Sequence, residues 1–359
     1  MVVMVGVDVH KDTHCAVAVD TVGRQLGPDR TFRTTDAGCL QLLRWAQQQA
    51  ADADADLVVA VEDCRHLTTR LERALLAAGA RVLRVPPKLM AGARQSARTR
   101  GKSDPIDALA IARAALREPG LPVAEHSHAS RAVKLLVDHR EDLVAERTAK
   151  QNRLRWHLHE LDPTIDPKSR GLDRASELNR VEQRLQQLTE LPGAAGTVRR
   201  LALELLADIR ALTARANALE KELRALTVAQ APQLLELQGC GVLTAAKILG
   251  ETANPGRFRS EACFAMHAGA APIPASSGRT HRHRLARGGN RQLNAALHRI
   301  AVTQARLEGP GRTYYQHRLG MNDTKMEALR ALKRRLARVV FTQLKPTHHA
   351  AAAPLPQAA

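Results

Sequence analysis

The stretch MVVMVGVDVH (residues 1–10) opens the chain with a run of valines that contains one acidic residue, Asp8. Valine favours β-structure, and an almost continuous apolar run of this length is typical of a strand buried on both faces. A charge among valines costs free energy unless it is paired or binds a metal ion. These residues therefore predict a central strand, Val2–Val9, with a paired or functional carboxylate near its end.

The residues that follow alternate between strand and helix patterns. Helical periodicity predicts helices at 35–50 and 68–78, and β-rich runs predict four more strands, at Cys15–Val19, Leu26–Arg33, Leu57–Val61 and Arg81–Val85. Three early strands followed by alternating helix and strand indicate an α/β, RNase H-like domain. A doubly wound nucleotide-binding fold is the alternative, but no GxGxxG or P-loop motif follows a strand here.

Composition indicates a large, basic, globular protein. The chain has 359 residues, enough for two or three domains, and its 54 Lys and Arg against 36 Asp and Glu give a net charge of +18. Such an excess indicates a polyanionic partner, for which nucleic acid is the default. A hydrophobic fraction of 44% excludes wholesale disorder, and 2% aromatic residues argue against a base-stacking platform as the main binding mode.

The sequence predicts neither a membrane segment nor a disulfide framework. No apolar run approaches the roughly 20 residues needed to cross a membrane, and the N-terminus turns acidic too early for a signal peptide. The five cysteines are far apart and lack CxxC pairs or zinc-ligand spacing. We expect reduced thiols, no membrane partner, and a cytoplasmic, nucleoid-associated protein.

Three more acidic residues stand where they could join Asp8. Glu62 ends the apolar run LVVAV, and Asp104 and Asp107 lie three residues apart on one side of a helix that begins near Pro105. Four carboxylates at strand ends and a helix start could hold two Mg²⁺ ions about 4 Å apart, an arrangement that serves phosphoryl transfer.

Each of these acids also has a structural explanation. Asp104 or Ser103 could cap the helix, and Asp8 could pair with Lys11 or an arginine. Taken singly, each acid is more often structural than catalytic. Their joint occurrence in this order favours the metal site.

A basic segment lies between the last predicted strand and this helix. Residues 88–102 contain no acidic residue and five cations, Lys88, Arg94, Arg98, Arg100 and Lys102. A segment of one charge sign beside a metal site suits a phosphate backbone. A solvated loop is the alternative.

The middle of the chain, residues 130–230, is predicted to be almost wholly helical. Apolar residues repeat there with a heptad period over about three repeats, at Leu205, Leu212, Leu219 and Leu226, with Ile209, Ala216 and Leu223 between them. The pattern fits an intermolecular coiled coil and an amphipathic helix within a bundle equally well.

The C-terminal third contains two motifs suited to nucleic acid. LQGCGVLTAAKIL (residues 237–249) is typical of a helix-hairpin-helix-like turn, although a plain helical turn fits equally well. In the segment that follows, Ser276 and Ser277 precede Gly278 and a cluster of cations, Arg279, Arg282, Arg284, Arg287 and Arg291. A serine there could attack a phosphodiester while the cations bind the developing charge.

Two alternatives to the serine hypothesis remain open. The segment could be an ordinary DNA-contacting basic loop in which Ser-Gly forms a turn. Tyr314 or Tyr315, near Arg312 and Arg318, could instead serve as the nucleophile of a tyrosine recombinase.

Taken together, these segments resemble the IS110 family of insertion-sequence transposases with a DEDD motif, which includes the Piv and MooV DNA invertases. The resemblance rests on VGVDVHKDTH (5–14), VED (61–63), KSDPIDALAIA (102–112), LQGCGVLTAAKIL (237–249) and HAGAAPIPASSGRTHRHRLARGGNRQLNAAL (267–297). It spans most of the chain apart from the tail and the details of the middle helices.

The resemblance implies a domain plan and a site. It implies a RuvC-like nuclease domain at 1–125, a helical coiled-coil connector at 126–230 and a mainly α-helical transposase domain at 231–345. The composition of residues 346–359, rich in Ala, Pro and His, predicts a disordered tail. The resemblance further implies Asp8, Glu62, Asp104 and Asp107 as the acidic tetrad and Ser277, or the adjacent Ser276, as a nucleophile that forms a phosphoserine link to DNA.

The resemblance also implies partners. Family members act as dimers or tetramers on donor and target DNA and are guided by a structured bridge RNA. Two other functions stay open for this sequence: a RuvC-like junction nuclease that uses metal and water without a covalent intermediate, and a non-catalytic nucleic-acid-binding protein.

Overall fold

The computed structural model describes residues 1–63, 65–87, 89–90, 103–118, 120–124, 128–168, 170–189, 191–275, 283–286 and 288–345. The chain divides into two compact units, Met1–His126 and Ser127–Ala359, each with its own buried cores. The boundaries predicted within the second unit stay a prediction, and the predicted tail at 346–359 lies outside the described residues.

The first unit is built on a five-stranded mixed sheet in the order β3-β2-β1-β4-β5. β2 is antiparallel to both β1 and β3, whereas β4 is parallel to both β1 and β5. The strands are β1 Val2–Val9, β2 Thr13–Val19, β3 Arg30–Arg33, β4 Asp56–Glu62 and β5 Arg81–Val85. This order and these directions are those of an RNase H-like sheet, so the predicted fold of this unit is confirmed.

The third strand is shorter than predicted. It begins at Arg30 rather than Leu26 because Gly27 has a positive φ of 83° and is followed by Pro28, which has no backbone N–H to donate to a neighbouring strand.

Helices cover both faces of this sheet. The helices of the unit are α1 Asp36–Asp52, α2 Arg65–Ala77 and α3 Asp104–Arg117. The Thr35 hydroxyl caps α1 by accepting the Gly38 N–H, as that helix start predicts. Val3, Val5, Val7 and Val9 face the core that contains α1 and α2, and Met4 faces the core that contains α3.

Gly6 lets α3 pack directly against β1. A Cβ at this position would overlap the carbonyl oxygen of Ala108 and lie 2.6 Å from the Ala112 nitrogen. The strand and the helix therefore approach each other backbone to backbone, which only glycine allows. This contact fixes the start of α3 near the carboxyl end of β1.

Two long helices dominate the first part of the second unit. They are α4 His128–Leu161 and α6 Ala195–Gln230, which pack along each other, and the shorter α5 Ala175–Gln187 packs against α6. Of the predicted heptad positions on α6, Ile209, Leu212, Ala216 and Leu223 are buried within the chain, whereas Leu205, Leu219 and Leu226 are half-buried. The bundle interpretation accounts for these buried positions, and an intermolecular coiled coil stays a prediction.

The remainder of the second unit is mainly helical. Its helices are α7 Pro232–Glu236, α8 Val242–Thr252, α9 Glu261–His267, α10 Arg291–Arg306, α11 Pro310–Gly320 and α12 Lys325–Leu344. A two-stranded antiparallel ribbon joins β6 Ile273–Pro274 to β7 His283–Arg284. α7, a turn at Gly239 and α8 follow one another as the hairpin hypothesis requires, and a nucleic-acid contact at this turn stays a prediction.

The two chain segments that flank the ribbon contact each other through backbone atoms. Gly289 has a positive φ of 87°, and a Cβ there would lie 2.7 Å from the Gly269 nitrogen and from the His267 carbonyl oxygen. The Asn290 N–H donates to that same carbonyl at 2.6 Å. Among the described residues, no helix has the length and apolar character that crossing a membrane requires.

Candidate functional site

Asp8 lies near the carboxyl end of β1, on the face that α3 covers. Side chains alternate along a strand, so Asp8 shares its face with Met4 and Gly6. Its residue exposure is only 7%. The valine run thus places a carboxylate in a buried position at the carboxyl end of the central strand of the sheet.

Glu62 is the last residue of the neighbouring strand. Val7 of β1 is in register with Val61 of β4 in a parallel pair, so Asp8 and Glu62 stand at the same level of adjacent strands. Ala60 faces the α3 core, and Glu62, two residues further, belongs to the same face. Topology therefore places both acids at one end of the sheet, under the same helix.

The first turn of α3 brings two more acids. Asp104 is the first residue of the helix and is exposed, whereas Asp107 has an exposure of 5%. Ser103 occupies the N-cap position, but its side chain makes no capping hydrogen bond. Of the two capping candidates, Ser103 is therefore the N-cap residue by position, whereas Asp104 lies inside the helix. Both acids of the SDPID motif lie in the first helical turn.

A histidine joins Asp8 to Asp104. His10 Nε2 is 2.9 Å from Asp8 Oδ2 and 3.3 Å from Asp104 Oδ1. One ligand atom from each of these three residues lies within 4.8 Å of the others. The predicted partner of Asp8 was Lys11 or an arginine, whereas the observed partner is His10. The strand period of two could have indicated His10 as the partner of Asp8, because it puts residues 8 and 10 on one face.

The electrostatics of this cluster oppose the charge of Asp8. Burial raises the pKa of the Asp8 carboxyl, and the nearby charges of Asp107 and Asp104 raise it further, while His10 lowers it. Crowded carboxylate oxygens that repel one another are relieved by a divalent cation. Hard oxygen donors are the ligands that Mg²⁺ prefers, and imidazole is compatible with several divalent metals, so the donor set fits such an ion.

Comparisons with known proteins match two long segments of the chain. A family model for the DEDD transposase domain of IS110, described as Transposase, matches residues 5–163. A second, described as Transposase IS116/IS110/IS902 family, matches residues 231–316. The chain belongs to the IS110 family of transposases. It is thus a DNA transposase, and its RNase H-like unit carries an acidic cluster suited to a divalent metal.

Individual relatives of this IS110-family chain come from insertion elements of Streptomyces and Mycobacterium. It is 26% identical to an IS116 insertion-element protein of Streptomyces clavuligerus, covering 96% of this chain and 94% of that protein. It is 28% identical to an IS900 insertion-element protein of Mycobacterium paratuberculosis, covering 96% of each. Among solved structures, T. thermophilus RuvC in complex with a Holliday junction substrate matches over 34% of this chain and 100% of that chain, with 16% identity and a TM-score of 0.27.

Many of the predicted nucleic-acid contacts cannot be placed in this IS110-family chain. Ser276 and Ser277 lie outside the described residues, as do the cations Lys88, Arg94, Arg98, Arg100, Lys102, Arg279, Arg282 and Arg287. Arg284 in β7 and Arg291 at the start of α10 are described, and both are exposed.

The two tyrosines considered as alternative nucleophiles lie on α11. Both rings are half-buried and pack against the core of the second unit, and the Arg335 guanidinium stacks on the Tyr314 ring at 4.9 Å. These contacts favour a packing role for both tyrosines.

Proposed function

We propose that this IS110-family transposase cuts and rejoins DNA with a two-Mg²⁺ site formed by Asp8, Glu62, Asp104 and Asp107. The observation that supports it most strongly is the placement of these acids at one end of β1, β4 and α3 in the first unit. Asp8 and Asp104 form a close cluster there with His10, which Glu62 and Asp107 adjoin by topology. When bound, the metal ions would activate a nucleophile and neutralise charge that develops on the phosphate.

The residues of the chain have defined tasks in this proposal. Asp8 and Asp107, which are buried, would hold cations in fixed positions, and the exposed Asp104 would face the DNA side. His10 orients Asp8 through its hydrogen bond, so it is a positioning residue that could also serve as a ligand.

We further propose that Ser277, with Ser276 as the adjacent candidate, is the nucleophile. Its oxygen would attack phosphorus, form a P–O bond to serine and release one sugar hydroxyl of the DNA strand, and a second hydroxyl would later displace serine. The match of residues 231–316 to a transposase domain and the cations around the Ser-Gly motif support this step. An uncharged serine is a weak nucleophile and needs the metal site or another base.

Guidance by a structured RNA and assembly into a dimer or tetramer complete the proposal. The net charge of +18 supports simultaneous binding of RNA and DNA. The acidic cluster alone would also suffice for a RuvC-like nuclease that hydrolyses DNA with water, and this is the competing function.

A covalent-trapping experiment separates these functions. Wild type, Ser277→Ala, Ser276→Ala and Asp8→Asn are incubated with element-end DNA, the bridge RNA and Mg²⁺, and products are resolved on denaturing gels. We expect wild type to give recombinant DNA and a protein–DNA adduct, and Ser277→Ala and Asp8→Asn to lose at least 100-fold in strand exchange, since each removes a catalytic group.

Matched controls exist for both changes. Ser176→Ala removes an exposed serine of α5, and Asp56→Asn alters an exposed acid at the opposite end of β4; both should react like wild type. Recombination that survives in both serine variants contradicts the serine step. Strand cleavage without any adduct supports the junction nuclease.

A further inference from the structure

A cationic cavity lies in the C-terminal part of the second unit. It has a volume of about 360 Å³ and is lined by the segment that precedes β6, by β7 and by helices α11 and α12. Five cations contribute to its wall, namely Arg284, Arg318, Arg330, Lys333 and Arg334. Its size and charge suit an anion such as a phosphate group with an attached sugar.

Acidic residues neutralise only part of this charge. Arg318 pairs with Asp323 at 2.6 Å, Arg334 pairs with Glu261 at 3.2 Å, and Arg330 lies 3.7 Å from Glu327. In the part of the chain that the structure describes, neither Lys333 nor Arg284 has a carboxylate within 4.0 Å. The cavity thus keeps two uncompensated positive charges.

Lys333 is the unusual member of the set because it is buried. Its exposure is 7%, and its ammonium donates to Asn294 Oδ1 at 3.0 Å. The Asn294 amide in turn donates to the carbonyl oxygens of Ala268 and Gly269, both at 2.9 Å. This chain of hydrogen bonds fixes the ammonium group with respect to the base of the ribbon.

A buried cation without a counter-charge is costly. Burial lowers the pKa of Lys333, and the neighbouring charges of Arg291 and Arg330 lower it further. A lysine ammonium has three donors, and the Asn294 carbonyl takes one of them. An anion in the cavity would supply both the missing charge and the missing acceptors.

We propose that this cavity binds a phosphate of the DNA backbone, with Lys333 as the buried ligand and Arg284 as the exposed one. The proposal rests on the proposed function, in which the second unit acts on DNA. Pro272 and His283, which also line the cavity, flank in sequence the segment that contains Ser276 and Ser277. A phosphate held here would anchor the DNA strand where that segment joins the domain.

The test measures phosphate and DNA binding without catalysis. Wild type, Lys333→Met and Arg284→Gln are melted in sodium phosphate and in sodium chloride of equal ionic strength. Their affinity for element-end duplex DNA is then measured over a range of salt concentrations in EDTA. We expect phosphate to raise the melting temperature of wild type but not of Lys333→Met. DNA affinity of this variant should fall about 10-fold, and its salt slope should shrink by about one.

Two further variants make the result decisive. Arg224→Gln removes an exposed cation of α6 and the same unit of charge, and it should keep the phosphate response and the DNA affinity. Arg284 is exposed, so Arg284→Gln should fold normally. This variant should also weaken DNA binding, and it therefore tests the proposal even if Lys333→Met does not fold.

The outcomes that would overturn the proposal are distinct from a failure of the proposed function. The proposal is overturned if Lys333→Met and Arg284→Gln respond to phosphate as wild type does and keep its salt slope for DNA. If the two variants lose affinity for RNA but not for DNA, the cavity is assigned to RNA instead. Recombination by Asp8→Asn would contradict the proposed function but leave the phosphate measurements as they are.

Discussion

Asp8 carries a charge that its surroundings oppose, and this has a measurable consequence. Its burial and its acidic neighbours raise its pKa, so the ionised carboxylate weakens the fold when no cation is bound. We expect Asp8→Asn to melt at a higher temperature than wild type in EDTA at neutral pH. Of these two proteins, only wild type should gain stability with Mg²⁺, by about 3 kcal/mol when the ion is at 100 times its dissociation constant.

Asp56→Asn is the control for this comparison, because Asp56 is exposed at the other end of β4. The melting temperature of Asp56→Asn should match that of wild type both in EDTA and in Mg²⁺. Equal Mg²⁺ stabilisation of wild type and Asp8→Asn would show that Asp8 does not bind the ion.

The burial of His14 makes the stability of the fold depend on pH. His14 lies buried on β2, its Nδ1 has no hydrogen-bond partner among the described residues, and burial, assisted by the charge of His10, lowers its pKa to about 4. The unfolded state binds the proton near pH 6.5 and the folded state only near pH 4, so stability falls as the pH drops through this window.

We expect wild type to lose about 2 kcal/mol from this group between about pH 7 and pH 5. His14→Leu should remove that part of the pH dependence, as measured by urea unfolding at several pH values. His159→Leu alters an exposed histidine and should leave the wild-type slope unchanged. The prediction fails if His14→Leu and wild type lose stability in parallel.

Some of these residues could be named from the sequence and others could not. Asp8 stands out because an acid in a valine run conflicts with its local pattern, and Asp104 and Asp107 stand out because they lie three residues apart at a predicted helix start. The link through His10 depends on how α3 lies on β1, which no local pattern encodes. Lys333 looks like any lysine of a basic helix, and only packing against α10 shows that it is buried.

At the scale of elements, the contact between β1 and α3 holds the acidic cluster together. Gly6→Ala would insert a methyl group into space occupied by the backbone of Ala108, and such overpacking costs about 1–3 kcal/mol or more. Because Asp104 and Asp107 are on α3, we expect this variant to lose Mg²⁺ stabilisation as well as fold stability. Calorimetry with and without Mg²⁺ measures both effects.

Gly196→Ala is the matched glycine control. Among the described residues, and apart from the backbone of its own helical turn, no atom lies within 4 Å of a Cβ at Gly196, which is in the first turn of α6. Alanine should therefore be neutral or stabilising there. Unchanged Mg²⁺ stabilisation in Gly6→Ala would contradict the proposed dependence of the site on this contact.

The packing of α6 within the second unit gives another prediction at this scale. Leu223→Ala should lower the free energy of unfolding by about 2–5 kcal/mol, because it opens a cavity in a buried position. Val228→Ala, at a position 50% exposed on the same helix, should change it by less than about 0.5 kcal/mol. Denaturant unfolding monitors both, and a mild effect of Leu223→Ala would show that this face is not packed within the chain.

The helix period of α6 could be read from the sequence, but its partner could not. Ile209, Ala216 and Leu223 repeat every seven residues whether they face another helix of the same chain or a second copy. In contrast, the strands of the first unit could be predicted because valine runs, turn residues and short connections agree locally.

At the scale of the whole molecule, charge governs association with nucleic acid. A net charge of +18 predicts that binding of duplex DNA weakens steeply with salt. If the chain makes 6–10 phosphate contacts, affinity should fall by about 10³–10⁵ between 50 and 200 mM salt. Fluorescence anisotropy in EDTA measures this dependence, with heparin as a competing polyanion.

An affinity that hardly changes with salt, or that heparin does not compete, would contradict a binding mode based on phosphate contacts. Binding would then rest on apolar or base-stacking contacts, for which this chain offers few aromatic residues.

The backbone contact between Gly269 and Gly289 has a consequence for how this protein can evolve. The two glycines hold the chain together on either side of the ribbon through backbone contacts. The packing of the helices outside them therefore does not depend on the length of the chain between them. Both glycines should therefore persist among related elements even where the chain between them differs in length. Changes of length in this interval should then cost the domain little stability as long as the two glycines stay in contact.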